Sequence, residues 1–176
     1  MKREQLEHLI RAAGGITGSR RLIVIGSQAI LAQHPYDSPE GAIVSREADM
    51  IPIDAPETTD VINGVLGELS AFDATFGYHA DGVDLKTAVL PPSWQERLVA
   101  IDNPNTNGYI GLCLEVHDLL LSKYFANREK DREFCRVVVR ASLVERSILL
   151  QRLSAMEIAQ PDRARIAQQI AADFDF

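Results

Sequence analysis

Cysteine is scarce in this sequence of 176 residues, and long apolar runs are missing from it. The two cysteines, Cys113 and Cys135, lie far apart without a CxxC partner, so they give neither a disulfide framework nor a zinc site. No apolar stretch approaches the roughly 20 residues that a membrane helix needs, and the first residues lead into an amphipathic pattern instead of a signal-peptide core. We therefore expect a cytoplasmic protein without membrane contact.

Basic residues are outnumbered, with 18 Lys and Arg against 25 Asp and Glu and a net charge of −7. Phosphate contacts by Lys and Arg supply most non-specific affinity for nucleic acid, so this balance argues against a broad basic binding face and leaves room only for local patches. Neither a G-x(4)-G-K-[ST] loop nor a G-x-G-x-x-G turn occurs. A P-loop or dinucleotide-binding fold therefore gains no support.

The remaining composition is that of an ordinary globular protein, with 46% apolar and 24% charged residues. Strand-like runs cluster in the first two thirds of the chain and helical patterns close it, which predicts an α/β or α+β fold: a mixed sheet flanked by helices, with a helical C-terminal part. We divide the chain into a main domain at residues 1–140 and a helical extension at residues 141–176 that packs on the same core.

Local patterns predict individual elements. Apolar residues at helical spacing predict helices at residues 3–13 (stopped by Gly14-Gly15), 27–34, 61–69, 117–139 (one helix or two), 142–156 and 161–172. Strands are predicted at residues 22–25, 47–53, 76–83, 87–90 and 109–114, with 76–83 and 87–90 forming an edge hairpin. An irregular segment is expected at 70–77, and a short amphipathic turn or helix at 94–101.

Two local features point to chemistry. The buried strand at residues 22–25 runs into Gly26-Ser27, a small turn that suits a phosphate. Glu47 and Asp49 lie one residue apart on the next strand, which points both carboxylates the same way. Such a pair can hold one or two Mg²⁺ ions, whose other positions are shared by water and substrate phosphates. Alternatively, both acids are solvated residues at a strand edge, because an acid-x-acid spacing often occurs by chance.

The order strand, Gly-Ser, helix, loop and acid-x-acid strand resembles the nucleotidyltransferase superfamily that shares the DNA polymerase β palm. Residues 45–49 (SREAD) are similar to the T-x-D-x-D motif of its AbiEii-type toxin branch, with Ser for Thr and Glu for the first Asp. The resemblance implies a phosphate role for Gly26 and Ser27 and a metal-ligand role for Glu47 and Asp49. It also implies a third carboxylate, for which Asp84 is the first candidate, followed by Asp81 and Asp73.

A second segment, SKYFANREKD, is similar to the K-x(6)-K-D helix of these proteins. The resemblance implies that Lys123, Lys130 and Asp131 border the nucleotide, with Lys123 reaching its phosphates. Residues seven apart lie on one helix face, so the two lysines are expected on the same face of one helix. The alternative is the charged, solvent-facing side of an amphipathic helix, which is a common arrangement.

Taken together, the resemblance implies that residues 1–140 form a nucleotidyltransferase-like domain. It would bind an NTP with Mg²⁺ or Mn²⁺ and transfer a nucleotidyl group to a hydroxyl of an RNA, such as a tRNA end, or of a partner protein. Glu47, Asp49 and Lys123 would be catalytic. The setting would be a toxin–antitoxin or phage-defence module with a cognate partner.

Two other interpretations stay open. One is a catalytically inactive member that serves as a binding, antitoxin or regulatory protein, and the other is a structural α/β protein whose motif matches are coincidental. His79 and His117 could act in acid–base chemistry, but a lone histidine is more often a surface or capping residue, and neither is assigned a role.

Overall fold

The computed structural model, which describes residues 1–175, is built on a five-stranded mixed sheet in the order β3-β2-β1-β5-β4. β1 lies antiparallel to β2 and parallel to β5, β2 lies parallel to β3, and β4 lies antiparallel to β5. The strands are β1 (Arg21–Val24), β2 (Glu47–Pro52), β3 (His79–Gly82), β4 (Val99–Ile101) and β5 (Ile110–Cys113). The predicted fold class, a mixed sheet flanked by helices, is confirmed.

Seven α-helices surround the sheet within the described residues. They are α1 (Arg3–Thr17), α2 (Thr59–Leu66), α3 (Ala71–Phe76), α4 (Val116–Ala126), α5 (Glu129–Arg140), α6 (Arg146–Ala155) and α7 (Gln160–Phe174). The segment predicted as one helix or two is two, because Asn127 adopts a left-handed conformation (φ 55°) between α4 and α5. The segment predicted as a helix from Ser27 is instead a 3₁₀ helix, Ser27–Ala32.

The first helix is longer than predicted. α1 continues through Gly14 and Gly15 and ends at Gly18, whose positive φ of 71° caps it. Gly14 serves close packing instead of termination, since a Cβ there would lie 2.2 Å from Cδ1 of Tyr109. The sequence could not distinguish these two uses of glycine, because Tyr109 arrives from a distant part of the chain.

The two faces of the sheet have different roles. A Cβ added to Gly111 of β5 would contact Ile10, which lies in α1. α1 therefore covers the face of the sheet to which Gly111 and its register neighbour Leu22 belong. Leu22 is opposite Pro52, and strand side chains alternate, so Ala48 and Met50 also point toward α1 and are buried. The intervening residues of β2, which include both acids of the predicted pair, therefore belong to the opposite face.

The predicted edge hairpin is wrong. β3 runs parallel to β2 because α2 and α3 carry the chain back before it pairs. Residues 87–90 form no strand; Thr87 is the last residue of a 3₁₀ turn, Leu85–Thr87.

Two short elements were also misjudged. α3 forms where an irregular segment was expected, because Ser70 accepts a hydrogen bond from the Asp73 N–H (3.1 Å) and Gly77 closes the helix at φ 76°. The segment 94–101, predicted as a short turn or helix, begins as one, the 3₁₀ helix Trp94–Arg97, but ends in β4, which pairs with β5.

The C-terminal helices pack on the helices before them, with α6 against α4 and α7 against both α4 and α5. The hydroxyl of the buried Tyr124 in α4 donates to Asp173 in α7 at 2.9 Å. Phe176, the last residue of the predicted extension, lies outside the described residues. Across residues 1–175, no helix has the length and apolar character that a membrane crossing requires.

Candidate functional site

The turn after β1 packs closely against β2, the strand that carries Glu47 and Asp49. The backbone N–H of Ile25 donates to the carbonyl of Asp49 at 3.1 Å. A Cβ on Gly26 would lie 2.2 Å from Oδ2 of Asp49. Gly26 has φ −76°, which any residue can adopt, so its lack of a side chain matters for the contact with Asp49 and not for the backbone conformation.

The pairing of β2 with β3 assembles a compact polar cluster. In the parallel register, Glu47 is opposite His79 and Asp49 is opposite Asp81. Residues paired in this way point to the same face of the sheet, as do residues two apart on one strand. Glu47, Asp49, His79 and Asp81 therefore share the face opposite α1, and we call them the β2–β3 cluster.

The structure brings Asp81, and not Asp84, beside the predicted acid pair. Asp84 lies beyond the end of β3, is exposed, and accepts a hydrogen bond from the Lys86 N–H at 2.8 Å as the cap of a 3₁₀ turn. Asp73 lies in α3, where Arg46 donates to it at 2.6 Å. The expected hairpin obscured Asp81, because it paired the strand at residues 76–83 with residues 87–90 and not with β2. The H-x-D repeat that mirrors E-x-D was the signal available in the sequence.

Like charges are crowded in the cluster. Burial, followed by the negative charge of Glu47, raises the pKa of Asp49 to about 6. Burial and Glu47 also raise the pKa of Asp81. Carboxylates held together at partly buried positions repel one another, and a bound cation would relieve that repulsion.

Lys123 and Asp131 face the cluster from the helices. Lys123, in α4, lies 3.2 Å from Asp131 in α5, and the Asp131 carboxylate, which is 1% exposed, also accepts a hydrogen bond from Arg128 at 2.6 Å. Burial alone would raise the pKa of Asp131, but Arg128 and Lys123 outweigh it and hold the pKa below its usual value. The positive charge of Lys123 also opposes the rise in the pKa of Asp49, so the lysine acts on the β2–β3 cluster.

Lys123 and Lys130 do not share one helix face as the spacing predicted, because the chain breaks at Asn127 and places them in successive helices. Both nevertheless border the same cavity.

That cavity, which we call the cleft, has a volume of about 510 Å³. Six of the sequence-predicted site residues line it, namely Ser27, Glu47, Asp49, Lys123, Lys130 and Asp131. Gly26 does not line the cleft itself, but it lies directly against Asp49, which does. The volume lies within the range of roughly 300–1,000 Å³ common for small-molecule sites. Arg128 also lines the cleft and was missed in the sequence, where it looked like one charge among many in the segment NREKD.

The two histidines have different surroundings. One ligand atom from each of Glu47, His79 and Asp81 lies within 4.8 Å of the other two, so His79 belongs to the β2–β3 cluster. His117 lies elsewhere, between Glu115 (2.6 Å) and the backbone N–H of Glu145 (2.9 Å), where it joins α4 to the segment before α6.

The cleft thus has an acidic side that suits divalent cations and a basic side that suits phosphates. Comparison with known proteins gives a match to a protein family, and that match fits a cleft with these two sides. A family model described as "Nucleotidyltransferase of unknown function (DUF6036)" matches residues 4–173. No curated protein and no solved structure matches the chain.

Proposed function

Because the chain belongs to the family of nucleotidyltransferases of unknown function, DUF6036, we propose that it binds an NTP with Mg²⁺ or Mn²⁺ and transfers a nucleotidyl group to a hydroxyl of an RNA or a protein. One observation carries this proposal. Ser27, Glu47, Asp49 and Lys123 come from three separate segments and meet at a single cleft.

The carboxylates of the β2–β3 cluster fit a divalent cation. Glu47, Asp49 and Asp81 provide oxygen ligands on adjacent strands, and their mutual repulsion favours a cation between them. A bound ion would supply positive charge against the phosphate oxygens. Asp81 replaces Asp84 as the proposed third carboxylate.

The phosphates of the nucleotide are assigned to the basic side of the cleft. Ser27 can donate its hydroxyl hydrogen to a phosphate oxygen, and Lys123 and Lys130 offset the charge of the β- and γ-phosphates. Asp131 holds Lys123 in place through their 3.2 Å ion pair. In the reaction the acceptor oxygen bonds to the α-phosphorus, the bond from that phosphorus to the pyrophosphate oxygen breaks, and a cluster carboxylate takes the hydroxyl proton.

A row of arginines supports an RNA acceptor. The row has one arginine every four residues: Arg128 at the N-cap of α5, and Arg132, Arg136 and Arg140 within the helix. It begins at the wall of the cleft. Such a row can follow a phosphate backbone that leads an RNA end to the nucleotide. The net charge of −7 favours a small RNA footprint or a protein acceptor. The similarity to AbiEii-type proteins supports a role in a toxin–antitoxin or phage-defence module with a cognate partner.

The test compares two neighbouring aspartates. The protein is incubated with each labelled NTP, Mg²⁺ or Mn²⁺, and total RNA or cell protein. Asp81→Asn should lower nucleotidyl transfer by at least about 100-fold, because it removes a charged metal ligand. Asp84→Asn removes only the charge of an exposed cap, because the amide oxygen can still accept the Lys86 N–H, so it should leave transfer within about twofold and cost less than about 1 kcal/mol of stability. Equal effects of the two substitutions would contradict the assignment of Asp81.

A second candidate function is an inactive member that binds nucleotide as an antitoxin or regulatory protein. The ion pair of Lys123 with Asp131 favours it, because the paired lysine is directed at a protein carboxylate. Glu47, which stands where the T-x-D-x-D motif has its first Asp, also favours an inactive member. This reading predicts NTP binding without transfer to any acceptor, and loss of that binding in Glu47→Ala or Asp49→Ala. Absence of both binding and transfer would rule out both functions.

A further inference from the structure

His79 is the member of the β2–β3 cluster that the proposed reaction leaves without a role. We propose that His79 is a nitrogen ligand of a metal ion held by Glu47 and Asp81, and that this ligand makes the site prefer Mn²⁺ or Co²⁺ to Mg²⁺. The inference rests on the proposed metal site, but it does not require that the protein transfer a nucleotide.

The geometry of the three side chains suits a shared ion. His79 and Glu47 are direct partners across the parallel strands, and Asp81 follows His79 on the same face. One ligand atom from each lies within 4.8 Å of the other two. Ligands at about 2.0–2.2 Å from an ion lie up to about 4.4 Å apart, so the separation of these three side chains suits a single shared ion.

The surroundings of His79 leave its ring nitrogens available. The side chain is only 10% exposed, and its buried Nδ1 has no hydrogen-bond partner among residues 1–175. A buried polar atom without a partner is costly, and such atoms in a folded protein call for an explanation such as an ion. The buried atom without a partner here is Nδ1, so His79 needs a group beside that nitrogen as well as an ion on the ring.

Asp73 lies beside the unpaired Nδ1 of His79. Its Oδ1 lies 3.5 Å from Nδ1 of His79, which leaves Nε2 as the nitrogen for the ion. A metal-bound histidine commonly donates its other N–H to a carboxylate, which sets the tautomer and the ring orientation. Asp73 is itself held by Arg46 at 2.6 Å and by the backbone N–H of Leu69 at 3.2 Å. Asp73 is therefore a positioning residue for His79.

The chemistry of the donor set determines the preferred ion. Mg²⁺ strongly favours oxygen ligands, whereas imidazole suits first-row transition metals. A site of carboxylates and one imidazole should therefore bind Mn²⁺ and Co²⁺ more tightly than Mg²⁺. A site of carboxylates alone would show a weaker preference.

The experiment measures ion binding and ligand identity on the full chain without nucleotide. Calorimetry gives the affinities for Mn²⁺ and Mg²⁺, and pulsed EPR of bound Mn²⁺ detects coupling to ¹⁴N. The wild-type protein should show a ¹⁴N coupling and at least about tenfold tighter binding of Mn²⁺ than of Mg²⁺.

The variants then identify the nitrogen. His79→Gln should abolish the ¹⁴N coupling and weaken Mn²⁺ binding by about 10- to 100-fold, with Mg²⁺ binding changed much less. Asp73→Asn should weaken Mn²⁺ binding but retain the ¹⁴N coupling, because His79 is still present. His34→Gln is the matched control, since this histidine contacts Asp37 in a surface loop, and it should behave as wild type.

Each outcome decides a separate question. Mn²⁺ bound without ¹⁴N coupling in the wild-type protein would overturn the role of His79 and leave the proposed carboxylate site standing, whether or not any variant folds. Equal weakening of both ions in His79→Gln would also overturn it, since a merely structural role predicts that result. Coupling without nucleotidyl transfer under any condition would sustain this inference and refute the proposed transferase, whereas failure to bind either ion would refute both.

Discussion

Gly26 is required by a neighbour across the sheet and not by its own backbone. Its φ of −76° is ordinary, yet a Cβ there would lie 2.2 Å from Oδ2 of Asp49. Any side chain at position 26 must therefore displace the Asp49 carboxylate or open the space between β1 and β2. At the residue scale, this contact joins the proposed phosphate turn to the proposed metal site.

We expect Gly26→Ala to disable the site without abolishing the fold. The displaced Asp49 carboxylate should weaken Mn²⁺ binding by at least about tenfold and lower transfer similarly, because metal sites tolerate only small errors of position. Calorimetry and the labelled-NTP assay measure the two effects.

Gly15→Ala is the matched control for this substitution. Gly15 is an exposed residue within α1, and its added Cβ would have its nearest neighbour at 4.0 Å, so the change should stabilise the protein by about 0.5–1 kcal/mol in urea denaturation. Wild-type Mn²⁺ affinity in Gly26→Ala would show that the contact with Asp49 does not matter for the site.

At the scale of elements, a buried ionic network fastens α6 to the start of α4. Arg152 of α6 donates to Glu115 and, at 2.8 Å, to Asp118, and Arg97 donates to Asp118 at 2.7 Å. His117 completes the network through Glu115. Burial alone would raise the pKa of Glu115, but the hydrogen bonds from His117 and Arg152 outweigh it and lower the pKa to about 2.

This network makes stability depend on pH in a defined acidic range. Between about pH 2 and the ordinary value near 4.5, the folded protein binds fewer protons at Glu115 than the unfolded chain does. The contribution is therefore complete above about pH 4.5 and is lost as the pH falls toward 2, with a size of about 2 kcal/mol.

Urea denaturation across this pH range tests the network. Glu115→Gln should lower the free energy of unfolding at pH 7 and reduce its pH dependence by about 2 kcal/mol. Glu133→Gln, at a surface position on α5 that pairs with Arg136, should change neither quantity appreciably. Identical pH profiles for Glu115→Gln and the wild-type protein would refute the role of Glu115.

For the whole molecule, we propose that residues 141–176 belong to the same cooperative unit as residues 1–140. α7 covers Tyr124 of α4 through Asp173, and Arg165 donates to the Tyr124 carbonyl at 2.9 Å. Leu149, Leu153 and Ile166 join the core formed by the earlier helices. Removal of this segment would expose apolar surface on both α4 and α5.

A truncation experiment tests this unity. The full chain should unfold in one transition, coincident by fluorescence of Trp94 and by far-UV circular dichroism, because both parts share a core. A chain that ends at residue 140 should lose cooperative unfolding, whereas a chain lacking only residues 175 and 176 should retain it. Two separate transitions in the full chain, or cooperative unfolding of residues 1–140 alone, would show that the extension is an independent unit.

Local sequence signals determined those parts of the molecule that depend on neighbouring residues. Apolar periodicity specified most helices and the strands β1, β2 and β5, because each pattern lies within one element. The alternation of strand side chains placed Glu47 and Asp49 on one face, and the Gly-Ser turn stood directly after its strand. These features needed no knowledge of which segments meet, so they were readable in the sequence.

Only the tertiary structure decided which distant residues join them. The parallel pairing of β2 with β3 places Asp81 and His79 beside the acid pair and leaves Asp84 outside it, since a strand register is fixed by a partner strand from a distant part of the chain. The break at Asn127 likewise separates Lys123 from Lys130 while the packing of α4 and α5 returns both to one cleft. The site geometry therefore depends on contacts between segments that lie far apart in the sequence. The free energy of these contacts depends on the whole fold, so no single segment determines them.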